Sequence, residues 1–230
     1  MDSPIIDLII PVHNEADSIS LVLEDIPKSL VRNIIVCNNH STDDTKINAL
    51  QRGAIVVDEV RKGYGYACLK GMEYIEQLNI KPDIVVFIDG DYSDYPEQMY
   101  DVVHPILENQ YDLVIGSRVL GNREKGAMMP QQIFGNWLAT RLIALFFRYK
   151  FTDLGPFRAI NYSRLLQLNM SDKTFGWTVE MQVKAAKHGL KCFEVPVNYR
   201  KRIGVSKVSG TVKGTFLAGY KILWTIFKYM

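Results

Sequence analysis

Two carboxylates one residue apart, Asp89 and Asp91, close the apolar run Ile84-Val85-Val86-Phe87-Ile88. A buried strand that ends this way delivers hard oxygen ligands to the rim of a sheet. Mg²⁺ or Mn²⁺ bound there keeps few protein ligands and completes its shell with water and phosphate oxygens. In open α/β sheets the ligand crevice lies outside the carboxyl ends of the strands, where this pair falls. Asp-Gly is also an ordinary turn signal, so the triplet alone leaves a plain turn open.

Two other strand ends carry polar clusters. The first strand runs out as Pro11-Val12-His13-Asn14-Glu15 and the second as Asn38-Asn39-His40-Ser41. One such cluster would be turn and capping chemistry. Three of them at the carboxyl ends of parallel strands converge on one crevice, as a nucleotide site requires. Other familiar signatures are missing from the sequence. No Gly-x-Gly-x-x-Gly follows the first strand, and no Gly-x-x-x-x-Gly-Lys-Ser/Thr loop occurs. There is no Gly-x-Ser-x-Gly elbow and no His-Glu-x-x-His pair. His13, His40, His104 and His188 are dispersed and read as surface or loop residues.

The elements that must hold these residues follow from the apolar pattern. Segments 5–12, 33–37, 54–57, 84–88, 112–117 and 192–199 read as strands. Ile19, Val22, Leu23 and Ile26 fall at i, i+3, i+4 and i+7 of a helix. Ser41 to Asp44 gives a Ser-x-x-Asp helix start into 45–52, which Gly53 ends. Further helices are expected at 66–78, 96–109, 134–149, 178–188 and 216–229. The stretch 122–130 reads as a mobile loop and 200–211 as a basic, Gly/Ser-rich loop. Repeated strand–helix units imply a mostly parallel sheet with right-handed crossovers.

At 230 residues, 47% of them apolar and 23% charged, the composition is that of an ordinary globular protein. Cys37, Cys68 and Cys192 lie far apart without zinc spacing and read as reduced, buried thiols. No charged n-region precedes a signal-type apolar stretch, so secretion is not expected. Charge is divided unevenly. Residues 1–115 carry 8 Lys/Arg against 20 Asp/Glu, and residues 116–230 carry 19 against 5. A cation site in an acidic half beside a basic half suits a metal–phosphate substrate and an anionic surface. Two halves that merely neutralise each other would show the same balance. The basic half has no recognised nucleic-acid motif, so no nucleic-acid partner is expected.

The last expected helix is apolar nearly all round, with Leu217, Ile222, Leu223, Trp224, Ile226 and Phe227 interrupted by Lys221 and Lys228. It is short of the roughly 20 apolar residues that a membrane span needs. It could lie in a membrane interface with its lysines at the headgroups, or pack on its own domain or a partner chain.

Taken together, Pro11 to Glu15, Asn38-Asn39-His40-Ser41-Thr42-Asp43 and Asp89-Gly90-Asp91 resemble the successive motifs of family 2 glycosyltransferases, which have the GT-A fold. Farther on, four segments resemble the dolichyl- or polyprenyl-phosphate mannose and glucose synthase branch. These are Ile115-Gly116-Ser117-Arg118, Asp153-Leu154-Gly155-Pro156-Phe157-Arg158, Gly176-Trp177-Thr178-Val179-Glu180-Met181 and Arg202-x-x-x-Ser206-Lys207. The resemblance spans residues 5–215. It implies that Pro11, His13, Asn14, Glu15, Asn38, Asn39 and Gly63 hold the nucleotide. It implies that Asp91, supported by Asp89, holds Mg²⁺ or Mn²⁺ on the diphosphate. If the acceptor is a polyprenyl phosphate, Arg118, Arg202 and Lys207 would hold it and no strong base is needed. If it is a hydroxyl, Glu180 is the candidate base, although a carboxylate at a helix start is also satisfied by the dipole there.

The chain departs from the family pattern at three places. Asn38 and Asn39 stand where acidic residues are common, His40 where glycine is usual, and Gln131-Gln132 where the synthase branch often has Arg or Lys.

The expectation is therefore an α/β protein with a GT-A-type, Rossmann-like, mostly parallel sheet flanked by helices. Residues 1–210 would form the catalytic domain, 1–117 its nucleotide-sugar and metal half and 118–210 its acceptor half. Residues 211–230 would form an amphipathic membrane-surface helix. The expected activity is inverting, metal-dependent hexose transfer from a GDP- or UDP-linked sugar to a lipid-linked acceptor, a polyprenyl (dolichyl-type) phosphate, at the cytosolic membrane face. Membrane docking would fall to the terminal helix or to a membrane partner subunit, and a homo-oligomer is left open. The competing readings are a hydroxyl-acceptor enzyme, a nucleotide-sugar or lipid-binding module without turnover, and a haloacid-dehalogenase-type phosphatase. The last wants its Asp-x-Asp on the first strand, whereas here the pair is on the fourth.

Overall fold

The structure, a computed structural model, describes residues 3–108, 110–204 and 212–230. Its strands are β1 (Ile6–Val12), β2 (Asn33–Asn38), β3 (Ile55–Asp58), β4 (Ile84–Phe87), β5 (Leu113–Ser117), β6 (Arg158–Asn161) and β7 (Cys192–Pro196). The first helices are α1 (Ile19–Asp25), α2 (Thr45–Gln51), α3 (Tyr64–Gln77) and α4 (Met99–Leu107), the last entered through a 3-10 turn at Pro96–Gln98. They are followed by α5 (Pro130–Phe147), α6 (Tyr162–Leu168), α7 (Trp177–Lys187) and α8 (Val212–Lys228).

The strands form one sheet in the order β3-β2-β1-β4-β6-β5-β7. β1 pairs in parallel with both β2 and β4, and β5 in parallel with β7, as strand–helix alternation requires. The sheet is mostly parallel, as expected. Helices cover both faces, so β1 is buried at every position. Its side chains still alternate: Ile9 joins Phe87 and Trp177 in one core, while Leu8 and Ile10 join Val86 and Met99 in the other.

Two elements were not foreseen. β6 inserts antiparallel between β4 and β5, and α6 follows it at once. Arg158, the first residue of β6, is fully buried, which breaks the apolar pattern that marks the other central strands. Its guanidinium donates to the carbonyls of Leu154, Gly155 and Thr178, so it ties β6 to α7. α5 begins earlier than the periodicity indicates. Pro130 occupies its first turn, and the Gln132 side chain accepts from the Met129 N–H at 2.8 Å.

α8 packs against α5 and α7 and is not a detached tail. Ile226 is fully buried in the core beside α5, and the Phe146 and Phe227 rings lie 5.6 Å apart. Its other side is open: Phe216, Tyr220 and Trp224 are exposed. Among the described residues no helix is long and apolar enough to cross a membrane.

Candidate functional site

Because β1, β2, β3, β4, β5 and β7 run the same way, their carboxyl ends share one rim. The expected Ser-x-x-Asp cap at α2 does not form there. Ser41 Oγ instead accepts from Asn14 N at 3.0 Å, Thr45 Oγ1 from Glu15 N at 2.8 Å, and Asp43 Oδ2 from Ala16 N at 3.2 Å. Thr42 N returns a bond to Asn14 Oδ1 at 2.8 Å. The hydroxyls and carboxylates that look like helix-capping residues thus stitch the ends of β1 and β2 together.

Asn38 and Asn39 are buried and fully engaged. Asn38 Nδ2 donates to Asp58 Oδ1 at 2.8 Å, and its Oδ1 accepts from Ser41 N at 3.3 Å. Asn39 Nδ2 donates to Arg61 O at 2.7 Å, and its Oδ1 accepts from Gly63 N at 2.8 Å. His13 Nδ1 lies 2.8 Å from Asn39 O. Asn38 therefore holds the end of β3, and Asn39 fixes the β3–α3 loop beside it. Gly63 sits in that loop at φ +150°, and a Cβ there would collide with the Lys173 carbonyl. His40 adopts φ +59°, so the turn that usually has glycine keeps its left-handed geometry with a side chain present.

Asp89 and Asp91 follow β4 directly. Gly90 between them leaves no room for a Cβ, which would strike Val12 of β1. Tyr64 OH donates to Asp89 Oδ1 at 2.9 Å. Burial and the neighbouring Asp91 push the Asp89 carboxyl up to about 7. Asp91 Oδ1 accepts from Ser93 N at 2.9 Å, while its Oδ2 pairs with Arg202 Nη1 at 3.0 Å. Arg202 Nη2 reaches Glu15 Oε1 at 2.6 Å, joining the first motif to the metal motif. Burial opposes the Arg202 charge, but Asp91, Glu15 and Asp89 more than offset it and raise its pKa.

The residues fit a divalent cation. Excess carboxylate charge gathers at one point and already attracts a guanidinium. Among the described residues no cluster of three or more His, Cys, Asp or Glu could hold a metal by itself. An Asp-x-Asp pair that shares its ion with phosphate and water needs no such cluster.

The segment after β7 lies over this turn. Arg200 N donates to Ser93 O at 2.9 Å and Ile203 N to Asp91 O at 3.0 Å. The Arg200 guanidinium stacks 3.4 Å above the Tyr92 ring and 4.1 Å from that of Tyr95. Asp94, beneath this strap, was not anticipated. It is 1% exposed and neither carboxylate oxygen has a partner among the described residues. Burial, with Asp89 nearby, pushes its carboxyl well above the usual range. The third acid in Asp89-x-Asp91-x-x-Asp94 was the available signal.

Two expected site residues are committed elsewhere. Arg118 grips Asp153 with Nε and Nη2, each at 2.7 Å, and its own N–H reaches the same carboxylate at 2.8 Å. Burial works against the Asp153 carboxylate, but Arg118 overcomes it and lowers the pKa. In this structure the Arg118 guanidinium is engaged by Asp153. Glu180 is likewise occupied in this structure. It is fully buried and accepts from Ser171 N and Oγ, Asp172 N, Tyr229 OH and Lys184 Nζ. Burial would raise its pKa, but Lys184, Tyr229 and the backbone donors lower it to about 2. Ser206 and Lys207 lie outside the described residues.

Comparison with known proteins agrees with this geometry. The model of the family described as Glycosyl transferase family 2 matches residues 7–168. An uncharacterised glycosyltransferase of Mycobacterium tuberculosis, Rv0539, is 34% identical over 221 residues, covering 93% of this chain and 94% of its own. A dolichyl-phosphate hexose transferase of Haloferax volcanii is 28% identical over 204 residues, covering 87% of this chain and 85% of its own. Among solved structures, glucosyl-3-phosphoglycerate synthase from Mycobacterium tuberculosis, in complex with Mn²⁺, UDP-glucose and phosphoglyceric acid, superposes with a TM-score of 0.76 at 22% identity. It covers 99% of this chain and 80% of that one, a likeness of fold.

Proposed function

The chain belongs to glycosyl transferase family 2, and we propose that it moves a hexose from a GDP- or UDP-linked sugar to a polyprenyl phosphate, with inversion. The observation that carries this reading is Asp89 and Asp91 at the carboxyl end of β4, bridged by Arg202 to the stitched ends of β1 and β2. A divalent cation, Mg²⁺ or Mn²⁺, held at Asp91 with Asp89 in support would neutralise the departing diphosphate. The Mn²⁺ and UDP-glucose in the mycobacterial synthase structure support a metal and a nucleotide sugar here.

The acceptor reading rests on the commitment of Glu180. That carboxylate is buried among Ser171, Asp172, Lys184 and Tyr229, so nothing in the geometry favours it as the base for a hydroxyl acceptor. A phosphate acceptor needs none: its oxygen attacks the anomeric carbon as the bond to the diphosphate breaks. The Haloferax dolichyl-phosphate hexose transferase supports that acceptor class. Arg202 and Lys207 are the cations nearest this role in sequence, with residues 1–210 as the catalytic domain. The exposed Phe216, Tyr220 and Trp224 of α8, with Phe134 and Trp137 of α5, support peripheral attachment at the cytosolic face.

The test is a donor and acceptor screen with Mn²⁺ or Mg²⁺ that reads release of nucleoside diphosphate. Metal-dependent release that needs polyprenyl phosphate and is lost in Asp91→Ala is the expected result. Transfer to the free alcohol or to phosphoglyceric acid in its place refutes the acceptor, and release indifferent to Asp91→Ala refutes the site.

A further inference from the structure

Asp91, the residue best placed to hold a divalent cation, already holds one charge of that sign in this structure. Arg202 Nη1 lies 3.0 Å from its Oδ2, and Nη2 lies 2.6 Å from Glu15 Oε1. The third guanidinium nitrogen, Nε, is buried with no hydrogen-bond partner among the described residues. A buried donor left unmatched marks an incomplete seat, one that an incoming anion could complete. The backbone beside it is fixed, because Ile203 N donates to Asp91 O at 3.0 Å. Only the side chain therefore has to move for Arg202 to leave Asp91.

We propose that Arg202 is an internal counter-ion that competes with the divalent cation for Asp91 and yields only when the cation arrives with an anionic diphosphate. Two cations at one carboxylate oxygen repel each other, so the cation alone binds weakly while Arg202 is seated. A nucleoside diphosphate reverses the balance. Its oxygens draw the guanidinium off Asp91 through paired, charge-assisted hydrogen bonds, with Nε as one of the donors. Arg202 thereby changes partners from carboxylate to phosphate, and cation binding becomes conditional on the diphosphate. The inference rests on the reading of Asp91 as the metal ligand and goes beyond it in giving Arg202 opposite effects on the two binding events.

The experiment measures Mn²⁺ binding to the full chain by titration calorimetry or paramagnetic resonance, first alone and then with UDP or GDP. Arg202→Met should tighten binding of Mn²⁺ alone by about tenfold, the factor that corresponds to about 1.4 kcal/mol. The same variant should weaken binding of the nucleoside diphosphate with Mn²⁺ by at least that factor. A residue that only supports the fold would not produce opposite signs. Arg202→Lys, which keeps the charge and loses the fork, should leave Mn²⁺ alone weakly bound, and serves if the methionine variant does not fold. Unchanged or weaker binding of Mn²⁺ alone in Arg202→Met, with binding abolished by Asp91→Asn, overturns the competition and leaves the metal ligand standing. Mn²⁺ binding that is indifferent to Asp91→Asn overturns both.

Discussion

Tyr229 OH donates to Glu180 Oε1 at 2.6 Å, so the end of the chain is fastened to the first turn of α7. The same carboxylate receives Ser171 N and Asp172 N, which brings two separate stretches of chain onto one buried anion of α7. Holding Glu180 near pKa 2, against about 4.3 in an unfolded chain, contributes stability above the unfolded value. That contribution is lost as pH falls from about 4.3 through about 2. At neutral pH it amounts to about 3 kcal/mol. Glu180→Gln should lower the denaturation midpoint in urea at pH 7 and flatten the acid limb of stability against pH. An acid limb as steep as the parent's would place the sensitivity in another group.

The Arg118–Asp153 pair makes a contrasting prediction. Asp153→Asn leaves a guanidinium that is 10% exposed without its counter-charge. Removing one partner of a buried pair costs about 3–5 kcal/mol, so this variant should unfold at markedly lower urea concentration. If its stability matched the parent while only transfer to a phosphate acceptor fell, Arg118 would be a clamp after all.

On α8, Phe216 and Trp224 are 75% and 53% exposed, so their substitution should leave stability nearly unchanged. Each aromatic ring buried in a bilayer contributes on the order of 1.5–3 kcal/mol. The double variant Phe216→Ser, Trp224→Ser should therefore lose association with vesicles of anionic lipid by at least tenfold in a sedimentation assay. Retained association would direct attention to Phe134 and Trp137 on α5.

His40 presents the smallest expected effect. A non-glycine residue at φ +59° carries conformational strain of about 1–2 kcal/mol, partly offset by the entropy that glycine loses on folding. His40→Gly should raise stability by up to about 1 kcal/mol in urea denaturation. A loss of stability would mean that the imidazole makes a stabilising contact which outweighs the strain.

The sheet was legible where its strands are apolar runs bounded by turn residues. β6 was not, because Arg158-Ala159-Ile160-Asn161 begins with a buried cation and is defined by pairing with β4 and β5. Local periodicity holds no information about such pairing. The Asp89–Asp91 site was legible from its position at a strand end. The partners of Arg118 and Glu180 were only partly legible: Lys184 stands one helical turn from Glu180, but Asp153 and Tyr229 are brought near only by the fold. Asp153 lies 35 residues from Arg118, and the Tyr229 hydroxyl lies 49 residues from Glu180. The motif spacing singled out charges without revealing which were already satisfied. Asn38 and Asn39 illustrate the converse, since their amides are consumed in holding the end of β3 and the β3–α3 loop.

The position of β6 also sets an order of assembly. β5 reaches β4 only through β6, which follows it by some 40 residues of chain, so the sheet cannot close in the order in which it is synthesised. While the ribosome is still adding residues beyond α4, β3-β2-β1-β4 can pair, and β4 is then a bare edge of four apolar residues, Ile84–Phe87. A nascent chain stalled at that stage presents a template for unwanted strand addition. The late arrival of β6, which Arg158 begins, covers that edge and leaves β3 and β7 as the edges of the sheet.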